Sequence, residues 1–307
     1  MKKFVFLALA FIAGSMQVHA YDDWCASDCT TNCFGIESTL NVAVGGGYRH
    51  DTLKWKTFAP GVEIKEKWKD LNMGIVEANA QLLVCEHYLV AVDFDYGWFD
   101  RGGRHRIRQF DLITGSSDEF RSRVKGEAYD VSGAIGYQFN WDCYRYSLAP
   151  IVGYSYNYQR FKNQREHRRS NDSSSFASFG RRNNYRFEWN GPFLGFVSAF
   201  QPTCDWQVYF SYAYHWAWFQ GRIHERSLLA GRGRQHSNNV SGNEFCVGST
   251  YEFCDNWFLG LNFDYKCFFA NKGRFKRRLA PSVEERFPLR KLDWQSFYVT
   301  VDVGYVF

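Results

Sequence analysis

The stretch Val90-Ala91-Val92-Asp93-Phe94-Asp95-Tyr96-Gly97-Trp98 alternates strictly. Its even positions are β-branched or aromatic, and its odd positions are small or acidic. A period of two places one set on each face of a β-strand, so this segment has one apolar face and one polar face. The same pattern recurs. Val131, Gly133, Ile135, Tyr137 and Phe139 oppose Asp130, Ser132, Ala134, Gly136 and Gln138. Val208, Phe210, Tyr212, Tyr214, Trp216 and Trp218 oppose Ser211, Ala213, His215 and Ala217. Two later runs follow it, Trp257 to Tyr265 and Phe297 to Phe307. Continued along the chain, the pattern predicts strands at 36–50, 70–84, 88–100, 121–139, 145–160, 185–201, 206–221, 240–253, 257–269 and 294–307.

That makes ten strands, an even number. A soluble sandwich also alternates, but its apolar face ends in a dry core, whereas these apolar faces end in Trp and Tyr. Composition agrees: 19% of the 307 residues are aromatic, with 26 Gly but only 3 Met and 6 Pro. Such a chain is neither a helical soluble enzyme, a coiled coil nor a disordered segment. The expected fold is all-β, a single transmembrane antiparallel barrel of about ten strands. Closure removes the sheet edges that lipid cannot solvate.

Lys2 and Lys3, the apolar run Phe4–Ala13 and the ending Val18-His19-Ala20 read as a secretory signal peptide over 1–20. The apolar run is about half the ~20 residues a spanning helix needs. Residues 21–35 then form a Cys-containing periplasmic segment and 36–307 the barrel. Short connections fall at Cys85-Glu86-His87, Asn140–Cys143, Pro202–Asp205 and Cys254–Asn256. The alternate connections (51–69, 101–120, 161–184, 222–239, 270–293) are long, the asymmetry of periplasmic turns and extracellular loops.

Four of the nine cysteines, Cys85, Cys143, Cys204 and Cys254, fall one per short turn, and Cys25, Cys29 and Cys33 lie in the N-terminal segment. In an oxidising periplasm all seven are disulfide candidates, and the odd total leaves at least one for a neighbouring envelope protein. The spacing lacks the paired Cys-x2-Cys of a zinc site, and neither metal nor cofactor is expected.

The long connections carry 27 Lys and Arg against 12 Asp and Glu, or +15, while the mature remainder carries 8 against 20, or −12. The expectation is a basic outer mouth, with Arg168, Arg169, Arg181, Arg182, Arg274, Lys276, Arg277 and Arg278, over an acidic lumen. Glu77, Asp93, Asp95, Asp130, Glu244, Asp264 and Asp302 would point inward with His215 and Lys266. Like charges in a narrow lumen need partners, so some loop arginines should reach down to neutralise the acids. Outer-membrane lipid and lipopolysaccharide are the expected surroundings, small solutes the expected cargo, and an oligomer is compatible with the pattern. Nucleic acid is not implied.

The ending Gly304-Tyr305-Val306-Phe307 resembles the assembly signal of bacterial outer-membrane barrels. Together with the turn cysteines and the aromatic, arginine-rich make-up, the chain resembles the porins of chlamydia-like bacteria, the Pom family. That resemblance implies a porin-like channel in an envelope of disulfide-linked proteins. The ten-strand architecture is also similar to omptin surface proteases, which carry an Asp-x-Asp and an Asp-x-His. Here Asp93 and Asp95 match the first pair and His224 the end of the second. Arg222 replaces the aspartate that should orient the histidine, so protease chemistry is not expected. A structural or adhesive envelope barrel, needing only loops and disulfides, is the third reading.

Overall fold

The computed structural model describes residues 38–141, 145–170, 183–203, 205–224, 232–254, 256–280 and 283–307. The expected signal peptide over 1–20, the expected periplasmic segment with Cys25, Cys29 and Cys33, and Cys143, Cys204, Arg181 and Arg182 lie outside them. The elements are β1 (Ser38–Ala59), β2 (Val62–Val84), β3 (Tyr88–Asp111), β4 (Ser117–Tyr137), β5 (Phe139–Trp141), β6 (Tyr146–Ser170), β7 (Asn184–Thr203), β8 (Trp206–His224), β9 (Arg232–Cys254), β10 (Trp257–Ala270), β11 (Gly273–Ala280) and β12 (Val283–Val306).

All pairings are antiparallel, and β1 pairs with both β2 and β12, so the sheet closes on itself. The ring has ten staves, as the alternation predicts. β5 only continues the β4 edge against β6, and β11 continues β10 in the gap between β9 and β12. Closure follows from the solvent: lipid offers no partner to an edge N–H or C=O.

The two faces behave as the period of two demands. Val90, Trp98, Ile135, Trp216, Leu261 and Val301 are exposed on the outer wall, while Ala91, Asp95, Asp130, Ala134 and His215 are buried within. At the periplasmic end, Cys85 (φ 50°) and Glu86 (φ 59°) adopt the left-handed conformation that lets so short a turn match the twist of its strands.

The outer connections differ from the expectation of loops. β1 alone runs 22 residues, roughly twice the 9–11 a membrane span needs. Much of 51–69, 101–120, 222–239 and 270–293 is strand, and β1–β2 closes in a tight turn at Pro60-Gly61 (Gly61 φ 73°). The alternation continues past the membrane because these residues still have an inside to fill. Register shifts near Asp51/Leu53, Lys69/Gly74, Phe99/Gly103, Ser122/Val124 and Ala217/Phe219 mark the level where the charged outer part of the wall begins. Such bulges re-aim strands without breaking the sheet.

Candidate functional site

The lumen is filled in layers. Nearest the periplasm, small and apolar side chains including Leu83, Ala91, Ala149, Ile151 and Tyr209 pack together. Gly45 lies between Glu77 and Asp302 in register, and a Cβ there would come within 2.8 Å of both Glu77 Oε1 and Asp302 Cβ, so the glycine leaves room for two carboxylates. Asp302 accepts a hydrogen bond from Asn262 Nδ2 at 2.9 Å, and Asn262 in turn accepts one from the Tyr209 hydroxyl.

Above this sits a charged girdle. The Arg49 guanidinium, fully buried, binds Asp51 through two nitrogens at 2.9 and 3.2 Å and Asp130 at 3.0 Å. Lys266 Nζ lies 3.2 Å from Glu244, 3.5 Å from Asp130 and 4.0 Å from Asp95. His215 bridges Glu244 (3.1 Å) and Ser155 (3.1 Å), and Ser132 donates to Asp93 at 2.5 Å. β10 and β4 are diametrically opposed in the ring, so the Lys266–Asp130 pair spans the lumen wall to wall. Gln159 Nε2, from β6, likewise crosses to Asp51 at 2.7 Å.

An aromatic layer caps the girdle toward the outer surface. Trp189 and Trp294 stand 5.4 Å apart across the lumen, Phe268 stacks on Trp294 at 5.1 Å, and Trp68 meets Phe187 at 5.3 Å. Trp68 also stacks on His105 at 4.3 Å, whose Nε2 faces Glu66 at 3.1 Å. These rings belong to one apolar cluster with Leu53, Leu71, Phe161 and Phe219.

All nine sequence-predicted lumen residues (Glu77, Asp93, Asp95, Asp130, His215, Glu244, Asp264, Lys266 and Asp302) therefore face inward. Two central members of the girdle were missed. Asp51 fell in a stretch read as loop, and Arg49 was passed over, although both share the parity of Gly45 and Gly47 on β1. Continuing that alternation four residues further would have found them. The expectation that loop arginines neutralise the acids is corrected: among the described residues the cations in the girdle are Arg49 and Lys266, both from the barrel wall. A cation on the wall reaches the centre of so narrow a ring in one side-chain length.

Of the eight residues of the expected basic mouth, only the side chains of Arg274 and Lys276 are among the described ones. Arg274 and Lys276 are exposed on the outer face of β11, with Phe275 buried between them. Arg277 and Arg278 also lie on β11, and Arg168 and Arg169 on β6. On the outer hairpins the described cations take the outward parity and most aromatic residues the inward one, Phe58 and Phe110 being outward exceptions, because an apolar interior is the better partner for rings. The remnant protease set does not assemble: Asp93 and Asp95 face the lumen on β3, whereas His224 is exposed on the outer face of β8. Cys85 stands at the turn between β2 and β3, and Cys246 and Cys267 are free thiols. Cys254 ends β9.

A closed ten-stave barrel with an apolar outer wall and a charged girdle inside is the setting for the family match. The model of a family described as Protochlamydia outer membrane protein matches residues 43–307. The chain belongs to that family. Membership in this outer-membrane family places the protein in the bacterial outer membrane. No curated relative matches the Pom sequence. Among solved structures, the outer membrane protease OmpT of Escherichia coli is similar at TM-score 0.75 and 13% identity, covering 90% of this chain and 100% of that one. At that identity the likeness shows the fold alone. A major outer membrane protein of Thermus thermophilus aligns at TM-score 0.32 and 10% identity, over 88% of this chain and 100% of that one. The translocator domain of the autotransporter NalP from Neisseria meningitidis aligns at TM-score 0.34 and 11% identity, over 89% and 90%.

Proposed function

We propose that this Pom-family barrel is a narrow, porin-like channel for ions and small solutes, closed at rest by ionic bridges across its lumen. The observation that carries this reading is the girdle itself. Buried charge is costly, and a barrel meant only to be solid would be filled more stably by apolar side chains of the same volume. Rings of fixed charge are how pores select what passes. Here Asp93, Asp95, Asp130, Glu244, Asp264 and Asp302 outnumber Arg49 and Lys266, which favours cations in the throat. Opening requires Lys266 or Arg49 to exchange one carboxylate for another.

The aromatic layer favours a second reading, a structural or adhesive envelope barrel. Fully buried Trp68, Trp189 and Trp294 occupy space that a permanently open pore would leave to water. Conductance of refolded protein in planar bilayers separates the two. Discrete cation-preferring steps that change when Lys266 is replaced by Met support the channel. A silent barrel that is folded by its heat-dependent gel shift refutes it. Asp93, Asp95 and His224 do not support proteolysis, since a general base and its orienting carboxylate must lie within hydrogen-bond reach and His224 lies on the opposite side of the wall from Asp93 and Asp95. Disulfide links from the periplasmic turn cysteines to other envelope proteins complete the proposal.

A further inference from the structure

The outer wall carries cations in facing register. Arg186 on β7 pairs with Arg222 on β8, Arg222 with Arg234 on β9, Arg234 with Lys276 on β11, and Lys276 with Arg286 on β12. All five are exposed on the outside, while the residues between them, among them Tyr185, Ile223, Gln235 and Phe275, are buried inside. Directly facing side chains on adjacent strands have Cβ atoms about 4.5–5.5 Å apart, and like charges there repel. Arg186, Arg222 and Arg234 form no ion pair among the described residues. The three neighbouring strands β7, β8 and β9 thus present a row of three arginines without an ion pair among the described residues, with Glu188 two residues along β7 from Arg186 and Arg160, which faces Arg186 on β6, already paired with Glu127.

A second arc runs round the other side, where Lys54 faces Lys67, Lys67 faces Arg106 and Arg106 faces Arg121. This one is partly compensated, since Glu119 serves Arg106, Arg108 and Arg121 together. Lys67 still titrates low, at about 8, through burial and the neighbouring Lys69, Lys54 and Arg106.

The row's height on the wall identifies what it meets. On β8 the outward series runs Tyr214, Trp216, Trp218, Gln220, Arg222, so Arg222 stands four residues, about 13 Å of strand, above the last Trp of the lipid-facing band. Outward Phe245 and Val247 on β9 and Leu194 on β7 continue that apolar band beneath the same arginines. An amphiphile with acyl chains below and anionic groups above matches both bands at once. We propose that Arg186, Arg222 and Arg234 bind the phosphates of a phosphorylated glycolipid of the outer leaflet, whose acyl chains lie on the apolar wall beneath. Each guanidinium offers a planar pair of donors to phosphate oxygens, and the bound anion removes the repulsion along the row. The proposal stands whether or not the barrel conducts.

The test is lipid retention. The full chain is refolded into neutral vesicles doped with a diphosphorylated glycolipid, extracted in mild detergent, washed, and the retained glycolipid is measured by mass spectrometry. The parent is expected to retain it, with retention falling as salt rises. The R186Q/R222Q/R234Q variant, shown folded by its gel shift, is expected to retain at least tenfold less. The single variant Arg222→Gln serves if the triple one does not fold, with a smaller loss in the same direction. Equal retention of the dephosphorylated glycolipid, or no difference between parent and variant, overturns the proposal. Complete displacement by millimolar inorganic phosphate also overturns it, because the row would then be a site for free phosphate.

Discussion

Replacing Arg49 by Met removes the cation that holds the centre of the lumen together. The guanidinium is fully buried and makes three hydrogen bonds of 2.9–3.2 Å to Asp51 and Asp130. Methionine fills similar length but leaves both carboxylates without their principal partner. Asp51 keeps Gln159 at 2.7 Å and the Trp294 indole N–H at 3.3 Å, and Asp130 keeps Lys266 at 3.5 Å. Removing one partner of a buried ion pair costs about 3–5 kcal/mol, and the surviving donors put this case at the lower end, about 3 kcal/mol. The second half of the prediction is the rescue. The double variant R49M/D51N no longer buries an unpaired charge at position 51 and should recover about half the loss, because the desolvated carboxylate rather than the lost bond dominates the cost. Urea titration of the protein folded in lipid vesicles, followed by tryptophan fluorescence and by gel shift, measures both. A single variant within about 0.5 kcal/mol of the parent, the range of an inconsequential surface change, refutes the buried-girdle argument. So does a double variant less stable than the single one.

Other outcomes follow from the same geometry. Lys266→Met leaves Glu244, Asp130 and Asp95 without their shared cation, so the reversal potential in a salt gradient should move further toward cations; a shift toward anions would mean the girdle does not line the path. Lys67 titrates at about 8 when folded, against about 10.4 for an unfolded lysine. The unfolded chain therefore binds more protons between those values, and stability should rise with pH across that window. Lys67→Gln should raise stability at pH 7 by a few tenths of a kcal/mol, since the group is only half-buried and solvent screens it, and this advantage should vanish by about pH 10. Pairs of urea midpoints across that range would show it. Gly45→Val should destabilise the barrel by several kcal/mol, because its side chain would enter the space of Glu77 and Asp302; a normal gel shift after refolding would argue against the packing of that layer. Neighbouring periplasmic turns are two strands, about 10 Å, apart along the rim, beyond the ~7 Å reach of a disulfide. Mass mapping without reductant should therefore find any Cys85 bridge leading to the N-terminal segment or another chain.

Alternation by itself determined the ring of ten staves and which residues look inward. A period of two fixes the face of every side chain once the strand is granted, so Asp93, Asp130 and Asp264 could be placed from sequence. Composition determined the membrane setting, because rows ending in Trp and Tyr have no use in a dry core. What the sequence did not decide was where the strands stop. Charged residues such as Lys54, Lys67 and Arg106 read as loop because the outer face no longer has to be apolar above the lipid, although the inner face still does. The same ambiguity hid Asp51, and a count of arginines carries no direction. Only the register of neighbouring strands sets Arg222 between Arg186 and Arg234, and only closure of the ring brings Lys266 to Asp130. Both are relations between residues far apart in the chain, fixed by ladder pairing and by the diameter of the barrel.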